Sequence, residues 1–190
     1  MNICETYFEN KYAKDCIKEK LIRLCEGKDW VNFIFVGTDS NLGDSLGPLS
    51  GTMISSADPS VMIYGSLDCT LTAKDVPFLS SYLKKAHPFG FDIVIDAALG
   101  KTEDVGTIKI CDAGIKPGLG VNKDLPMIGD ASIIGVVGER QFCGGAMPSI
   151  TRLSMIYNMA KTISEGINSF LDFRLKFGFC GLKGEYSVVV

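Results

Sequence analysis

Two apolar runs in this chain each end on an acidic residue, and they constrain the fold more than any other feature. Val31-Asn32-Phe33-Ile34-Phe35-Val36 leads into Gly37-Thr38-Asp39-Ser40-Asn41-Leu42-Gly43-Asp44-Ser45-Leu46-Gly47-Pro48. Phe91-Asp92-Ile93-Val94-Ile95 leads into Asp96-Ala97-Ala98-Leu99-Gly100. Continuous Val, Ile and Phe runs read as strands covered on both faces, the pattern of a parallel sheet. Such sheets bind their ligands outside the carboxyl ends of the strands. Asp44 and Asp96 are therefore expected to meet in one crevice.

The other elements fit around these two strands. An amphipathic helix is expected from about Glu5 to Cys25, so that residues 1–28 form an N-terminal helix packing on the core. Gly47-Pro48 opens a short helix to about Ser56, since proline is tolerated in a first turn. Val61 to Tyr64 reads as a strand. Thr72 is a cap for a helix from Ala73 to about Ala86. Gly106 to Cys111 alternates weakly, as a strand toward an edge would. A loop dense in Gly and Pro follows from Gly114 to Asp130, then a strand over Ile133 to Val137. Pro148 or Ser149 opens a final helix to about Lys176, and 178–190 is a tail of no assigned structure. Alternating strands and helices imply one 190-residue α/β domain. Its expected form is a three-layer α/β/α arrangement around a mostly parallel twisted sheet.

Composition excludes several classes. A formal net charge of −3 argues against nucleic acid as a partner. No apolar run reaches the roughly eighteen residues that span a bilayer. The N-terminus alternates charged and apolar residues rather than opening as a signal peptide. The seven cysteines include no C-x-x-C pair, so free thiols in a reducing, cytoplasmic compartment are expected. The single histidine, His87, precedes Pro88 at a helix end and reads as a surface residue near the helix dipole. That removes histidine-based triads and multi-histidine zinc sites together.

Carboxylates are left as the acid–base groups. Asp44 lies between glycines at a helix entrance, where an N-cap or first-turn acid is the plain alternative to catalysis. Asp96 ends a buried strand, where a bare carboxylate is costly without a partner. Two adjacent carboxyls share one proton, so one can activate water while the other protonates a leaving group. The same pair can bind a divalent cation. Asp39 is placed to orient Asp44 or a water, or to form an Asx turn. The glycines of Gly114-Ile115-Lys116-Pro117-Gly118-Leu119-Gly120-Val121-Asn122-Lys123 can present amides to an oxyanion, chiefly Gly118 and Gly120, with Lys123 adding positive charge. Neither glycine-rich loop carries a dinucleotide or P-loop signature.

Several of these strings together resemble the YyaC-type sporulation proteins, a family described as spore proteases. They are Phe35-Val36-Gly37-Thr38-Asp39 with Gly43-Asp44-Ser45-Leu46-Gly47-Pro48, then Val94-Ile95-Asp96-Ala97, Ile115 to Lys123, Leu125-Pro126-Met127-Ile128-Gly129-Asp130, and Thr151-Arg152-Leu153. The family in turn is similar to the germination protease, which degrades small acid-soluble spore proteins. Both resemble the hydrogenase maturation proteases, so a phosphorylase/hydrolase-like fold is implied. By motif, Asp44 and Asp96 match the two acids proposed for catalysis in the germination protease. They also match two of three nickel-contacting residues of the maturation enzymes, whose third contact, a histidine, has no counterpart near the later loop.

The resemblance implies a cytoplasmic endopeptidase of a spore-forming cell or forespore. It would cut small acid-soluble spore proteins with the Asp44/Asp96 pair, without a resident cofactor, and a homo-oligomer is compatible with it. Two other readings share the same residues: a non-catalytic sporulation protein that binds a peptide or protein, and a metal-dependent amide hydrolase.

Overall fold

The computed structural model describes residues 3–116, 127–140 and 151–178. Six strands form one sheet: β1 (Ile3–Tyr7), β2 (Val31–Phe35), β3 (Val61–Tyr64), β4 (Phe91–Gly100), β5 (Thr107–Cys111) and β6 (Ala131–Glu139). The helices are α1 (Ala13–Leu24), α2 (Leu46–Thr52), α3 (Val76–Ala86) and α4 (Leu153–Phe177). Strand order is β1-β5-β6-β4-β2-β3. The ladders β3–β2, β2–β4 and β4–β6 are parallel, and β6–β5 and β5–β1 are antiparallel.

The two long apolar runs explain the layering. Along β2 and β4, Phe33, Phe35, Ile93 and Ile95 point to one side, where they pack with Ile17 and Leu21 of α1, Leu46 of α2, and Ile156, Ile163 and Phe170 of α4. Ile34, Val36 and Val94 point to the other side, against Val76, Leu79 and Leu83 of α3 and against Ile128. Both faces of the central strands are thus dry, as the unbroken apolar runs require. The expected three-layer α/β fold with a mostly parallel sheet is the one observed.

The N-terminal segment differs from expectation. The helix expected to begin at Glu5 begins at Ala13, and Ile3–Tyr7 is an edge strand paired with β5. Cys4 and Thr6 are half-buried while Glu5 and Tyr7 are exposed, an alternation of period two that helical spacing had absorbed. Because β1 takes the edge, β5 lies one strand inward of its expected place. Thr72 is not the helix cap either. Its amide and hydroxyl donate to the carboxylate of Asp75, and α3 starts at Val76.

Helix α4 ties the layers together. Where it crosses α1, a Cβ on Gly166 would lie 2.7 Å from Cβ of Ile17 and 3.1 Å from the Lys14 carbonyl. This glycine sets the closeness of the two helices. Gly166→Val is expected to destabilise the protein by roughly 1–3 kcal/mol through overpacking, read as a lower urea midpoint with little change in slope. Near its other end, α4 buries Arg174, whose guanidinium donates to Asp58 Oδ2 at 2.9 Å, to Ser60 Oγ at 3.1 Å and to the carbonyls of Lys28 and Asp29. These contacts lock the turns that lead into β2 and β3. Burial pushes the Asp58 carboxyl up, but hydrogen bonds from Ser60 and the Arg174 guanidinium outweigh it, and the net shift is downward.

Candidate functional site

The sheet topology creates a crevice at the carboxyl ends of β2 and β4. The chain leaving β2 passes to β3 on one side, whereas the chain leaving β4 passes to β5 and β6 on the other. Between two such strands the connecting loops diverge, and the gap is where ligands of open α/β sheets bind. The β2–β4 ladder closes with Val36 N–H donating to the Ile95 carbonyl at 2.8 Å. Past that bond, Gly37 N–H donates instead to Leu71 at 2.8 Å, and the two chains separate.

Asp44 is held over this gap by its own loop. Asn41 accepts a bond from Gly43 N–H at its Oδ1 (3.1 Å) and one from Asp44 N–H at its carbonyl (3.1 Å). The Asx turn considered for Asp39 is therefore made by Asn41. Thr38 N–H donates to the Asp44 carbonyl at 3.1 Å, folding the loop back onto the end of β2. Gly37 has φ +145°, and a Cβ there would run into that same Asp44 carbonyl. A Cβ on Gly47 would run into the Val36 carbonyl, so the first turn of α2 sits directly on the strand end. Two residues after Asp44, Leu46 is buried over Gly135 of β6, whose ladder partner is Ala97. The Gly-Asp-Ser-Leu-Gly-Pro string is thus a packing device that seats a half-buried carboxyl beside β4. Gly47→Ala is expected to cost roughly 1–3 kcal/mol, because the obstructing atom is backbone and cannot swing aside; equilibrium urea unfolding measures it.

Asp96 stands on β4 one residue beyond its last bond to β2. It is buried, 9 % exposed. Its Oδ1 accepts from Ala97 N–H at 2.8 Å. Desolvation raises its pKa to about 8; the Ala97 hydrogen bond opposes this and the charge of Asp44 adds to it. Asp44 is itself raised by burial. Two acids 52 positions apart in sequence therefore feel each other in the fold, and both hold a proton more readily than a free carboxyl does.

The remaining candidates are distributed differently. Asp39 is exposed in the loop between β2 and Asp44. Gly118, Gly120, Lys123 and Cys143 lie outside the described residues. Asp130 accepts from Asp92 N–H at 2.9 Å and closes a turn before β6. Thr151 donates to the Val137 carbonyl at 3.2 Å, and Arg152 is exposed. His87 is at the opposite rim, at the end of α3, stacked on Trp30 with Nε2 3.2 Å from the Tyr64 hydroxyl. Among the described residues no third His, Cys, Asp or Glu joins Asp44 and Asp96 in a group able to hold a metal. The Asn41 turn, the Leu46–Gly135 contact and the Ala97 amide were missed by sequence reasoning; only the Asn41-x-Gly43 spacing carried a local signal.

A model of a family described as a protein of unknown function, DUF1256, matches residues 5–166. The chain belongs to the DUF1256 family. The family match takes in β2, the Asp44 loop, β4, Asp96, β6 and the start of α4. A curated relative, the uncharacterized protein YyaC of Bacillus subtilis (strain 168), is 36% identical over 148 residues, covering 77% of this chain and 72% of its own length. Among solved structures, the [NiFe] hydrogenase maturation protease HycI from Thermococcus kodakarensis KOD1 superposes with a TM-score of 0.53 at 19% identity. The superposition covers 80% of this chain and 99% of HycI. At that identity the likeness is one of fold. Among the described residues no helix is long and apolar enough to cross a membrane.

Proposed function

We propose that this DUF1256 chain is a peptidase in which Asp44 and Asp96 act as one acid–base unit. What supports the reading is that the charge of Asp44 reaches Asp96 at the β2–β4 gap and raises it, with Asp96 buried and Asp44 more open to solvent. Asp44, the more exposed acid, takes a proton from a water as that water attacks the peptide carbonyl. Asp96 gives its proton to the departing amine, and the C–N bond breaks. The products are a carboxylic acid and an amine; the acid passes its proton to the released amine through solvent, and the pair is reset when the proton held by Asp44 is returned to Asp96 through solvent. The amides of Gly118 and Gly120, with Lys123, are the proposed partners of the tetrahedral oxyanion.

The proposed substrates are small acid-soluble spore proteins, in the cytoplasm of a spore-forming cell. The resemblance to the YyaC-type and germination proteases supports this. The test is incubation of the purified protein with a small acid-soluble spore protein after exhaustive chelation, followed by intact mass spectrometry. Discrete fragments that vanish in both Asp44→Asn and Asp96→Asn support the reading. Binding without cleavage over hours favours a non-catalytic binder. Cleavage that returns only when a divalent cation is restored favours a metal-dependent hydrolase.

A further inference from the structure

We infer that an extended segment of unfolded polypeptide docks as an added strand on the open edge of β4, along Ala97 to Gly100. The inference rests on the peptidase reading of the Asp44/Asp96 site and deepens it, since it states how that site would present a peptide bond.

Among the described residues no strand pairs with this edge, because β4 outruns its neighbour. β2 pairs with β4 only from Val31/Phe91 to Phe35/Ile95, whereas β6 stays paired with β4 through Gly100. The direction of the backbone groups follows from the bonds at either end. Phe91 N–H donates to Trp30, and Ile95 accepts from Val36, so odd-numbered residues of β4 face β2. The Gly100 carbonyl accepts from Arg140 N–H, so even-numbered residues face β6. Ala97 and Leu99 therefore turn their main-chain groups away from β6, though the Leu99 carbonyl accepts from Arg140 Nη2 at 3.4 Å. The Ala97 amide is taken by Asp96 Oδ1. No described residue bonds the Ala97 carbonyl or the Leu99 amide. One acceptor and one donor two residues apart are the spacing that a β-ladder uses along one edge.

Two further features suit a peptide. Ala97 and Ala98 are small and half-buried, which lets another main chain approach closely. Just past the strand end lies a cleft of about 390 Å³ lined by Leu99, Lys101, Asp104, Glu139 and Arg140 among others. It carries both signs of charge. A strand laid on this edge starts beside the Asp96 carboxyl, so ladder bonds on its neighbours hold the scissile bond in register with the acid.

Hydrogen exchange on the Asp44→Asn variant, mixed with a purified small acid-soluble spore protein as probe, tests this without requiring turnover. Exchange at the Leu99 amide is expected to slow roughly tenfold or more at saturating probe. If the Leu99 amide exchanges at the same rate with and without probe, the docking inference is wrong, whether or not the wild-type protein cleaves. Protection at Leu99 in a protein that never cleaves would keep the inference and sink the peptidase reading. Kinetics on the active protein add a second arm. Leu99→Pro removes the donor without touching a β6 bond and should raise KM roughly fivefold with kcat unchanged, the worth of one hydrogen bond. Leu99→Ala keeps the N–H and should raise KM less than Leu99→Pro does; equal KM changes in both variants would assign the effect to the side chain and overturn the inference.

Discussion

Asp96→Asn is expected to lower peptide hydrolysis by about 10²–10⁴-fold and to make the folded protein more stable at alkaline pH. The first effect is the ordinary worth of a positioned general acid. The second follows from where Asp96 sits. Its folded pKa, about 8, is raised from an ordinary value near 3.8, chiefly by burial. A raised carboxyl binds its proton more tightly in the folded state than in the unfolded one. Its contribution to stability is therefore fully present below about pH 4 and is lost as pH climbs from there through 8. Asparagine has the same shape and no charge to bury, so the variant escapes that loss. Urea unfolding at pH 5 and pH 9 should show a small difference at the lower pH and a gain on the order of a few kcal/mol at the higher one. The rate profile of the wild type should fall on its alkaline side as Asp96 ionises. A residue that is costly to the fold and needed for turnover is the common pattern of a functional site.

Arg174→Ala is expected to cost about 3–5 kcal/mol, the usual penalty for removing one partner of a buried ion pair. Arg174 is 1% exposed and its partner carboxyl 9%. Truncation strips Asp58 of its counter-ion and leaves the Lys28 and Asp29 carbonyls without their donors. The two turns feed the central strand β2 and the edge strand β3, so the loss is felt across the α4 side of the sheet. Thermal and urea unfolding should register the full effect, and the hydrolysis rate per folded molecule should be unchanged. Asp58, with its lowered carboxyl, gives the wild type stability that is present above the ordinary carboxylate pKa and fades as pH falls below it.

The central strands were legible because their apolar runs are unbroken and bounded by glycine and proline. β3 was read to the residue. That the loops after β2 and β4 share one rim was legible for a general reason: parallel strands put their following loops on the same side. β1 was not legible, because five residues of weak alternation are indistinguishable from the first turns of the helix that follows. The extent of β4 was not legible either. Asp96-Ala97-Ala98-Leu99-Gly100 has no strand propensity of its own, and its ladder to β6 is set by tertiary pairing. Likewise, Arg174 reads as a solvent-facing helix residue until the turns at Lys28–Asp29 and Asp58–Ser60 close around it.

The coupling of the two acids is best tested by a carbon-13 NMR titration of aspartate-labelled protein, comparing wild type with Asp44→Asn. The account predicts one carboxyl that titrates near pH 8 in the wild type. In the variant the same resonance should titrate at lower pH, because the neighbouring negative charge is gone, yet stay well above the usual carboxylate range, because burial is unchanged. A wild-type protein in which every aspartate titrates below pH 5, or a high-titrating carboxyl indifferent to the loss of Asp44, would contradict it.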